Sequence, residues 1–176
     1  MSRARDGRSL RIGLVVNPAA QAARDQSRRL LAVSDALRPF SRKPGDLNQL
    51  RERLYRLMWD DVGIIRSEES LVRGQKALWD LSEELGETGL ADAGRAFNLT
   101  WADWLSLDSL ILTSRAIAAA AKRRDDSRGA HYRSDFPETG PLDLSENTFV
   151  TLEGGHIAVT TEPVAFTRVR PGESLA

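Results

Sequence analysis

The sequence of 176 residues contains no cysteine and only two histidines, the side chains that most often act as nucleophile or base near neutral pH. Without cysteine there is no disulfide framework, no thiolate nucleophile and no cysteine-ligated zinc or iron–sulfur cluster. The two histidines, His131 and His156, have no acidic neighbour at a zinc-motif spacing such as H-E-x-x-H. We therefore assign no metal ligand.

Long apolar runs and an excess of one charge are also absent. No stretch of 18 or more apolar residues is present, so we expect no direct insertion into a membrane. The N-terminus lacks the apolar core of a signal peptide, which predicts a cytoplasmic protein. The 25 basic side chains are balanced by 25 acidic ones, which argues against a general nucleic-acid binder.

The first part of the chain is basic and weakly patterned. Residues 1–46 carry ten basic and four acidic side chains, whereas the remaining residues carry fifteen and twenty-one. Residues 9–16 are typical of a strand, followed by a helix that is capped by Asn17, begins at Pro18 and ends near Leu37. The glycine pattern of a phosphate-binding loop is missing, so no nucleotide site is predicted. Residues 1–33 are interpreted as a basic leader of uncertain structure.

Residues 34–124 carry three segments with helical periodicity. They span about residues 47–62, 67–85 and 101–124, and a Thr100–Asp103 capping signal precedes the third. Apolar residues recur at spacings of three and four, which predicts one buried face on each helix. On the third helix the predicted inward positions are Trp104, Leu107, Leu110, Ile111 and Ile117. These patterns predict a mainly α fold, a three-helix antiparallel bundle that is spectrin-repeat-like.

Residues 125–176 have a different character and are interpreted as an arginine-rich loop followed by a β-hairpin tail. The hairpin spans residues 148–161 and turns at Gly154-Gly155. Its register places Leu152 opposite Ile157, and a third strand is plausible over residues 164–170. The predicted fold thus ends in a small antiparallel hairpin or three-stranded sheet.

The arginine-rich loop is the densest polar cluster in the sequence. Arg128 and Arg133 are each able to grip a carboxylate with two N–H groups, and Gly129 allows a tight turn between them. Together with His131, they are the residues that we predict to contact a partner or an anion. The competing interpretation is a loop pinned by Asp–Arg pairs. The four tryptophans lie on predicted helices and are interpreted as core residues, with a protein interface as the alternative.

Two motifs in this part of the chain resemble a known enzyme family. Residues 126–137, DSRGAHYRSDFP, resemble the S-R-G-A-H-x-R-x-D-F-P stretch in the C-terminal domain of succinate dehydrogenase and fumarate reductase flavoprotein subunits. Residues 58–66, MWDDVGIIR, are similar to the M-W-x-x-V-G-I-x-R stretch best known from L-aspartate oxidase, a relative. The resemblance covers about residues 34–175 and implies the helical C-terminal domain of that family.

The resemblance also implies what this sequence does not contain. In the family, FAD is bound by a large N-terminal dinucleotide fold, and a capping domain supplies the proton-donating arginine. Residues 1–33 resemble neither the dinucleotide fold nor the capping domain, so no catalytic and no cofactor-binding residue is assigned. The chain is not expected to be active alone and is expected to bind no cofactor by itself, although FAD is implied for the full assembly.

Three functions remain open at this point. The first is a C-terminal domain that packs against a separate or missing FAD-binding flavoprotein domain or subunit, completing a dicarboxylate oxidoreductase. The second is a non-catalytic interaction module that self-associates through an exposed apolar patch. The third is an independent enzyme that binds an organic acid with the arginine-rich loop.

Overall fold

The computed structural model describes residues 18–173 and divides the chain into two units, which separate after Leu37. The first unit contributes helix α1 (Pro18–Leu37), which begins and ends at the predicted residues. The predicted boundary between residues 33 and 34 falls inside this helix. Its expected cap, Asn17, and the expected strand over residues 9–16 lie outside the described residues.

The second unit is a three-helix bundle, as predicted. Its helices are α2 (Leu47–Val62), α3 (Glu68–Glu87) and α4 (Leu99–Arg123). A 3-10 turn (Arg38–Ser41) precedes α2, and a second (Leu142–Leu144) follows the arginine-rich loop. In residues 18–173 no helix is both long enough and apolar enough to cross a membrane.

Polar caps fix where the bundle helices begin. The Asp46 carboxylate accepts hydrogen bonds from the N–H groups of Asn48 and Gln49, both at 3.0 Å. Ser67 and Ser70 form a reciprocal capping box at the start of α3. These side chains satisfy N–H groups that the first helical turn leaves without partners. The predicted starts of α2 and α3 are thereby confirmed.

Helix α4 begins earlier than predicted. Its cap is Asn98, whose side-chain oxygen accepts the Trp101 N–H at 2.8 Å, so the Thr100–Asp103 signal was wrong. Asn98 is buried and its amide group also donates to the carbonyls of Asp92 and Gly94. Contacts with the preceding loop therefore fix Asn98 as the cap, and these contacts are not visible in the residue pattern of the helix itself.

The core lies between the three bundle helices. It consists of leucines, most of them at helical spacing, together with Val62, Trp104, Ile111 and two alanines that permit close helix approach. Two positions of α4 that were predicted to face inward, Leu110 and Ile117, are instead 41% and 44% exposed. A 25-residue helix packed against only two others buries a narrower stripe than its apolar residues cover, which explains this error.

Two small sheets complete the unit. Strands β3 (Glu146–Glu153) and β4 (His156–Pro163) form the predicted antiparallel hairpin, with Leu152 opposite Ile157. Its glycine turn has φ angles of 57° and 83°, a conformation that other residues rarely adopt. Residues 164–170 form no strand, which corrects the three-stranded alternative. A short parallel pair is formed by β1 (Ile65–Arg66) and β2 (Tyr132–Arg133).

Candidate functional site

The short parallel pair brings together the two motifs found in the sequence. Ile65 pairs with Tyr132 and Arg66 with Arg133, although more than 60 residues separate the strands. The Tyr132 N–H donates to the Ile64 carbonyl at 3.2 Å, and the Ser134 N–H donates to the Arg66 carbonyl at 2.7 Å. We call this region, residues 64–68 and 126–136, the motif junction.

Arg133 forms the centre of the motif junction and is completely buried. Its Nε and Nη2 atoms each donate to one oxygen of Asp135 at 2.7 Å, a two-pronged ion pair. Its Nη1 atom donates to the carbonyls of Arg124 and Lys122 at 2.9 and 3.3 Å. These carbonyls belong to the end of α4, where the helix provides no N–H partners. Arg133 thus ties the loop to the bundle.

Asp135 extends this connection to the next helix. Its Oδ2 atom also accepts the Glu68 N–H at 2.8 Å, at the first residue of α3. The Arg133 N–H groups, with the Glu68 N–H as a further donor, hold the pKa of the Asp135 carboxyl far below its ordinary value. A single Arg–Asp pair therefore joins the end of α4 to the start of α3.

Arg128 has a similar structural role at the outer side of the loop. Its guanidinium donates to the Ser145 hydroxyl at 2.6 Å and to the carbonyls of Gly140 and Pro141 at 3.2 Å. It also forms an ion pair with Asp126. Arg128 therefore holds the loop against the segment that leads into the hairpin.

His131 occupies a different environment. Its Nδ1 atom lies 2.6 Å from Nη1 of Arg66. A guanidinium has no acceptor, so Nδ1 must accept and the ring proton must be on Nε2. The Nε2 atom is buried and has no hydrogen-bond partner in residues 18–173. Burial and the nearby charges of Arg66, Arg124 and Arg133 lower the pKa of His131, and Asp126 opposes them.

The neutral state of His131 predicts a pH dependence of stability. A base whose pKa is lower in the folded state binds fewer protons when folded. The contribution of His131 to stability is therefore fully present above its unfolded pKa, about 6.5, and is lost as the pH falls below that value. We expect the free energy of unfolding in urea to decrease between pH 7.5 and 5.0, and His131→Gln to remove most of this slope. His156→Gln, at the exposed end of the hairpin, is the matched control and should retain the slope. An equal slope in wild type and His131→Gln would contradict the assignment.

An apolar groove of about 760 Å³ lies beside the motif junction. We define it by residues that α2, the α2–β1 turn, β1 and α4 contribute: Tyr55, Trp59, Ile64, Ile65, Arg66 and Ile117. Trp59 is 82% exposed, and the two isoleucines of the turn and β1 are also mostly exposed. Clusters of large exposed apolar side chains are a common feature of surfaces that bind other molecules.

The predicted contact residues Arg128, His131 and Arg133 do come together in one loop. The arginines form the Asp–Arg pairs of the competing interpretation, whereas His131 retains a polar atom without a partner among the described residues. Their contact with a partner or an anion stays a prediction. Sequence reasoning missed the groove and Arg66, although Trp59 and Arg66 both lie in the first motif. The interpretation of all four tryptophans as core was wrong for Trp59 and Trp79, which are both exposed, while Trp104 is buried.

Comparison with known proteins places these features in a family. A family model described as fumarate reductase flavoprotein C-term matches residues 51–175. The succinate dehydrogenase flavoprotein subunit of Coxiella burnetii is 37% identical over 109 residues, which cover 62% of this chain and 18% of the relative. The fumarate reductase flavoprotein subunit of Mycobacterium tuberculosis is 34% identical over 113 residues, covering 64% of this chain and 19% of the relative.

Solved structures agree with this comparison. The Mycobacterium smegmatis Sdh1 complex in the apo form contains a chain that matches 86% of this chain with a TM-score of 0.67 and 29% identity. The match covers 25% of the Mycobacterium smegmatis chain. This chain therefore spans about a fifth to a quarter of the length of the proteins that it resembles.

Proposed function

Because the chain belongs to the fumarate reductase flavoprotein C-terminal family, we propose that it packs against a FAD-binding flavoprotein polypeptide and completes an oxidoreductase. The assembled enzyme would transfer hydride between FAD and a carbon–carbon or carbon–nitrogen bond of a small dicarboxylate. Its expected location is the cytoplasm. Residues 38–176, the second unit, are proposed to act together as the packing domain, and the first unit is proposed to be a separate basic leader.

The observation that carries this proposal is the apolar groove beside the motif junction. The motif at residues 58–66 lines this groove, and it pairs with the motif at residues 126–137 in the motif junction. The charged side chains at the centre of the junction pair with each other, and the large apolar side chains beside it are exposed. This arrangement suits a stable surface that docks onto another polypeptide.

The described residues do not fit a FAD site of their own. A dinucleotide site places a glycine-rich turn and free N–H groups at a helix N-terminus, where the pyrophosphate binds. In the bundle, Asp46, Ser67 and Asn98 already occupy the N-termini as caps. The first turn of α3 also carries Glu68 and Glu69, whose charges would repel a phosphate. The proposal therefore places FAD on the partner polypeptide.

The test is direct association. The purified chain is mixed with the flavin-binding polypeptide of the same organism, and complex formation is followed by size-exclusion chromatography and by the flavin absorbance of the complex. Formation of a complex that reduces fumarate or oxidises succinate or aspartate, while each component alone does not, would support the proposal. Failure to associate would overturn the separate-subunit form of the proposal.

Trp59→Ala should weaken this association without unfolding the chain. A tryptophan that is exposed in the free domain and buried in a complex is a common hot spot, whose loss costs about 2 kcal/mol or more. We therefore expect an increase in Kd of about 30-fold, measured by calorimetry, with an unchanged thermal unfolding curve. Trp79→Ala is the control, because Trp79 lies against Arg115 on another face and does not line the groove. Equal affinities of wild type and Trp59→Ala would place the contact elsewhere.

Self-association is the second candidate function, because a second copy of the chain could bind to the same groove and cover it. It predicts a dimer that dissociates on Trp59→Ala, detected by light scattering over a range of protein concentrations. A monomer at high concentration would exclude it. The third possibility, an independent organic-acid enzyme, predicts heat release on mixing the chain alone with succinate, fumarate or aspartate.

A further inference from the structure

Arg66 differs from three neighbouring arginines in having no acidic partner among residues 18–173. Arg124 and Arg128 pair with Asp126, and Arg133 pairs with Asp135. No carboxylate of the described residues lies within ion-pair distance of the Arg66 guanidinium. Its Nε donates to the Val62 carbonyl at 3.2 Å, and Nη1 donates to His131.

The environment of Arg66 makes this lack of an acidic partner costly. The side chain is half-buried and lines the apolar groove, and this burial lowers the pKa of Arg66. Of the five N–H groups of a guanidinium, two have partners here and three are left among the described residues. A half-buried arginine with free N–H groups gains most from an incoming carboxylate, which it binds with two parallel hydrogen bonds.

His131 holds the guanidinium in place. Because its Nδ1 atom accepts from Nη1 of Arg66 at 2.6 Å, the ring orients the group without neutralising its charge. A carboxylate at the His131 position would have filled the binding capacity of Arg66 within the chain. A neutral imidazole leaves the charge available, so His131 is a positioning residue.

We propose that Arg66 is a receptor for a carboxylate that the docking polypeptide carries beside apolar side chains, which fill the groove. The identity of the partner in this inference rests on the proposed function. The inference adds the chemistry of the partner's surface. An aspartate or glutamate of the flavin-binding polypeptide would bind Arg66, while neighbouring apolar side chains would cover Trp59, Ile64 and Ile65.

Shape and charge favour a protein carboxylate over a small dicarboxylate. A four-carbon dicarboxylate has two charges and little apolar surface, whereas the groove offers one arginine and about 760 Å³ of mostly apolar space. The second charge of such a ligand would lie against Ile64 and Ile65 or near Asp60, the carboxylate that lines the groove. A single charge on an apolar carrier matches the surface better.

A small mimic tests the site on the chain alone. Hexanoate combines one carboxylate with an apolar tail, hexanol has the tail without the charge, and succinate has two charges. We expect hexanoate to bind with a Kd of about 1–10 mM and to shift the NMR signals of the His131 ring and the Arg66 side chain. Hexanol should bind at least about tenfold more weakly, as should hexanoate to Arg66→Gln. The comparison of hexanoate with hexanol and succinate uses only the wild-type chain, so it does not depend on whether a variant folds.

Arg56→Gln is the matched control. Arg56 lies on α2, is exposed and does not line the groove, so its removal changes the net charge equally and should leave hexanoate binding unchanged. His131→Gln keeps the Arg66 charge but alters its orientation, and should weaken binding less than Arg66→Gln does. Equal binding of hexanoate and hexanol, or tighter binding of succinate than of hexanoate, would overturn the inference.

The complex supplies a second measurement. With the flavin-binding polypeptide we expect Arg66→Gln to weaken association about 10- to 100-fold and Arg56→Gln to change it less than about twofold. Association that is intact but insensitive to Arg66→Gln would remove this inference and keep the proposed function. Hexanoate binding without any association with the polypeptide would support the carboxylate site and overturn the proposed function.

Discussion

Replacing Arg133 with methionine is expected to lower the free energy of unfolding by about 3–5 kcal/mol, measured by urea unfolding at pH 7. The guanidinium is completely buried and connects three groups, the Asp135 carboxylate and the two carbonyls at the end of α4. Methionine fills much of the volume but donates no hydrogen bond. It would leave two carbonyls without their donor and the Asp135 carboxylate with the Glu68 N–H but without its ion pair. This loss is larger than the loss of one favourable contact.

Two controls separate this effect from a general loss of charge. Arg53→Met removes an exposed ion pair with Glu84 and should cost less than about 1 kcal/mol, because water already screens that pair. Arg133→Met combined with Asp135→Asn should cost less than the sum of the single changes, since the two residues share one interaction. A loss below about 1 kcal/mol for Arg133→Met would contradict the role assigned to this side chain.

The low pKa of Asp135 adds a pH signature to the same pair. A carboxyl whose pKa is lower when folded stabilises the protein fully above its unfolded pKa, near 3.9, and the stabilisation is lost as pH falls through the folded pKa. Wild-type stability should therefore decline in strongly acidic solution. Asp135→Asn should weaken this acid dependence, and it should leave the slope near pH 6, which belongs to His131, in place.

Replacing Trp104 with alanine is expected to cost about 3–5 kcal/mol of unfolding free energy. The side chain is 2% exposed, and its indole Nε1 donates to the carbonyls of Leu85 and Thr88 at 3.2 and 2.9 Å. These carbonyls lie at the C-terminal end of α3. The tryptophan of α4 therefore fills the core and also satisfies acceptors that α3 leaves open.

Trp104→Phe separates the two contributions. Phenylalanine retains most of the apolar volume but has no N–H group, so the remaining loss should be about 1–3 kcal/mol. Trp59→Ala provides the opposite case, because its side chain is exposed and its removal should change stability by less than about 0.5 kcal/mol. If Trp59→Ala destabilises the free domain as much as Trp104→Ala, the groove is part of the core and is not a docking surface.

The sequence predicted the bundle and the hairpin well because these elements depend on local signals. The spacing of leucines, the caps Asp46 and Ser67 and the Gly154-Gly155 turn each act within a few residues. The start of α4 was missed because Asn98 takes its role from a buried loop. Of the two predicted forms of the tail, the hairpin was confirmed and the third strand over residues 164–170 was not found, since apolar character alone does not supply a neighbouring strand to pair with.

The candidate site was predicted only in part. The residues of the arginine-rich loop do lie together, as predicted. The sequence did not show which of them form ion pairs within the chain and which keep polar atoms without a partner among the described residues. Arg128, His131 and Arg133 occur within six residues, and the chain order does not show that Asp126 and Asp135 pair with the two arginines while Arg66 binds the histidine.

By itself, the sequence determined the mainly helical fold and, through two long motifs, the resemblance to flavoprotein C-terminal domains. The absence of cysteine and of a glycine-rich loop limited the chemistry that this chain was predicted to carry. Only the tertiary structure decided which charges are paired, which tryptophan is buried and which apolar residues remain exposed. The physical reason is that helix formation, capping and turns depend on near neighbours, whereas burial and ion pairing depend on segments that lie far apart in the chain.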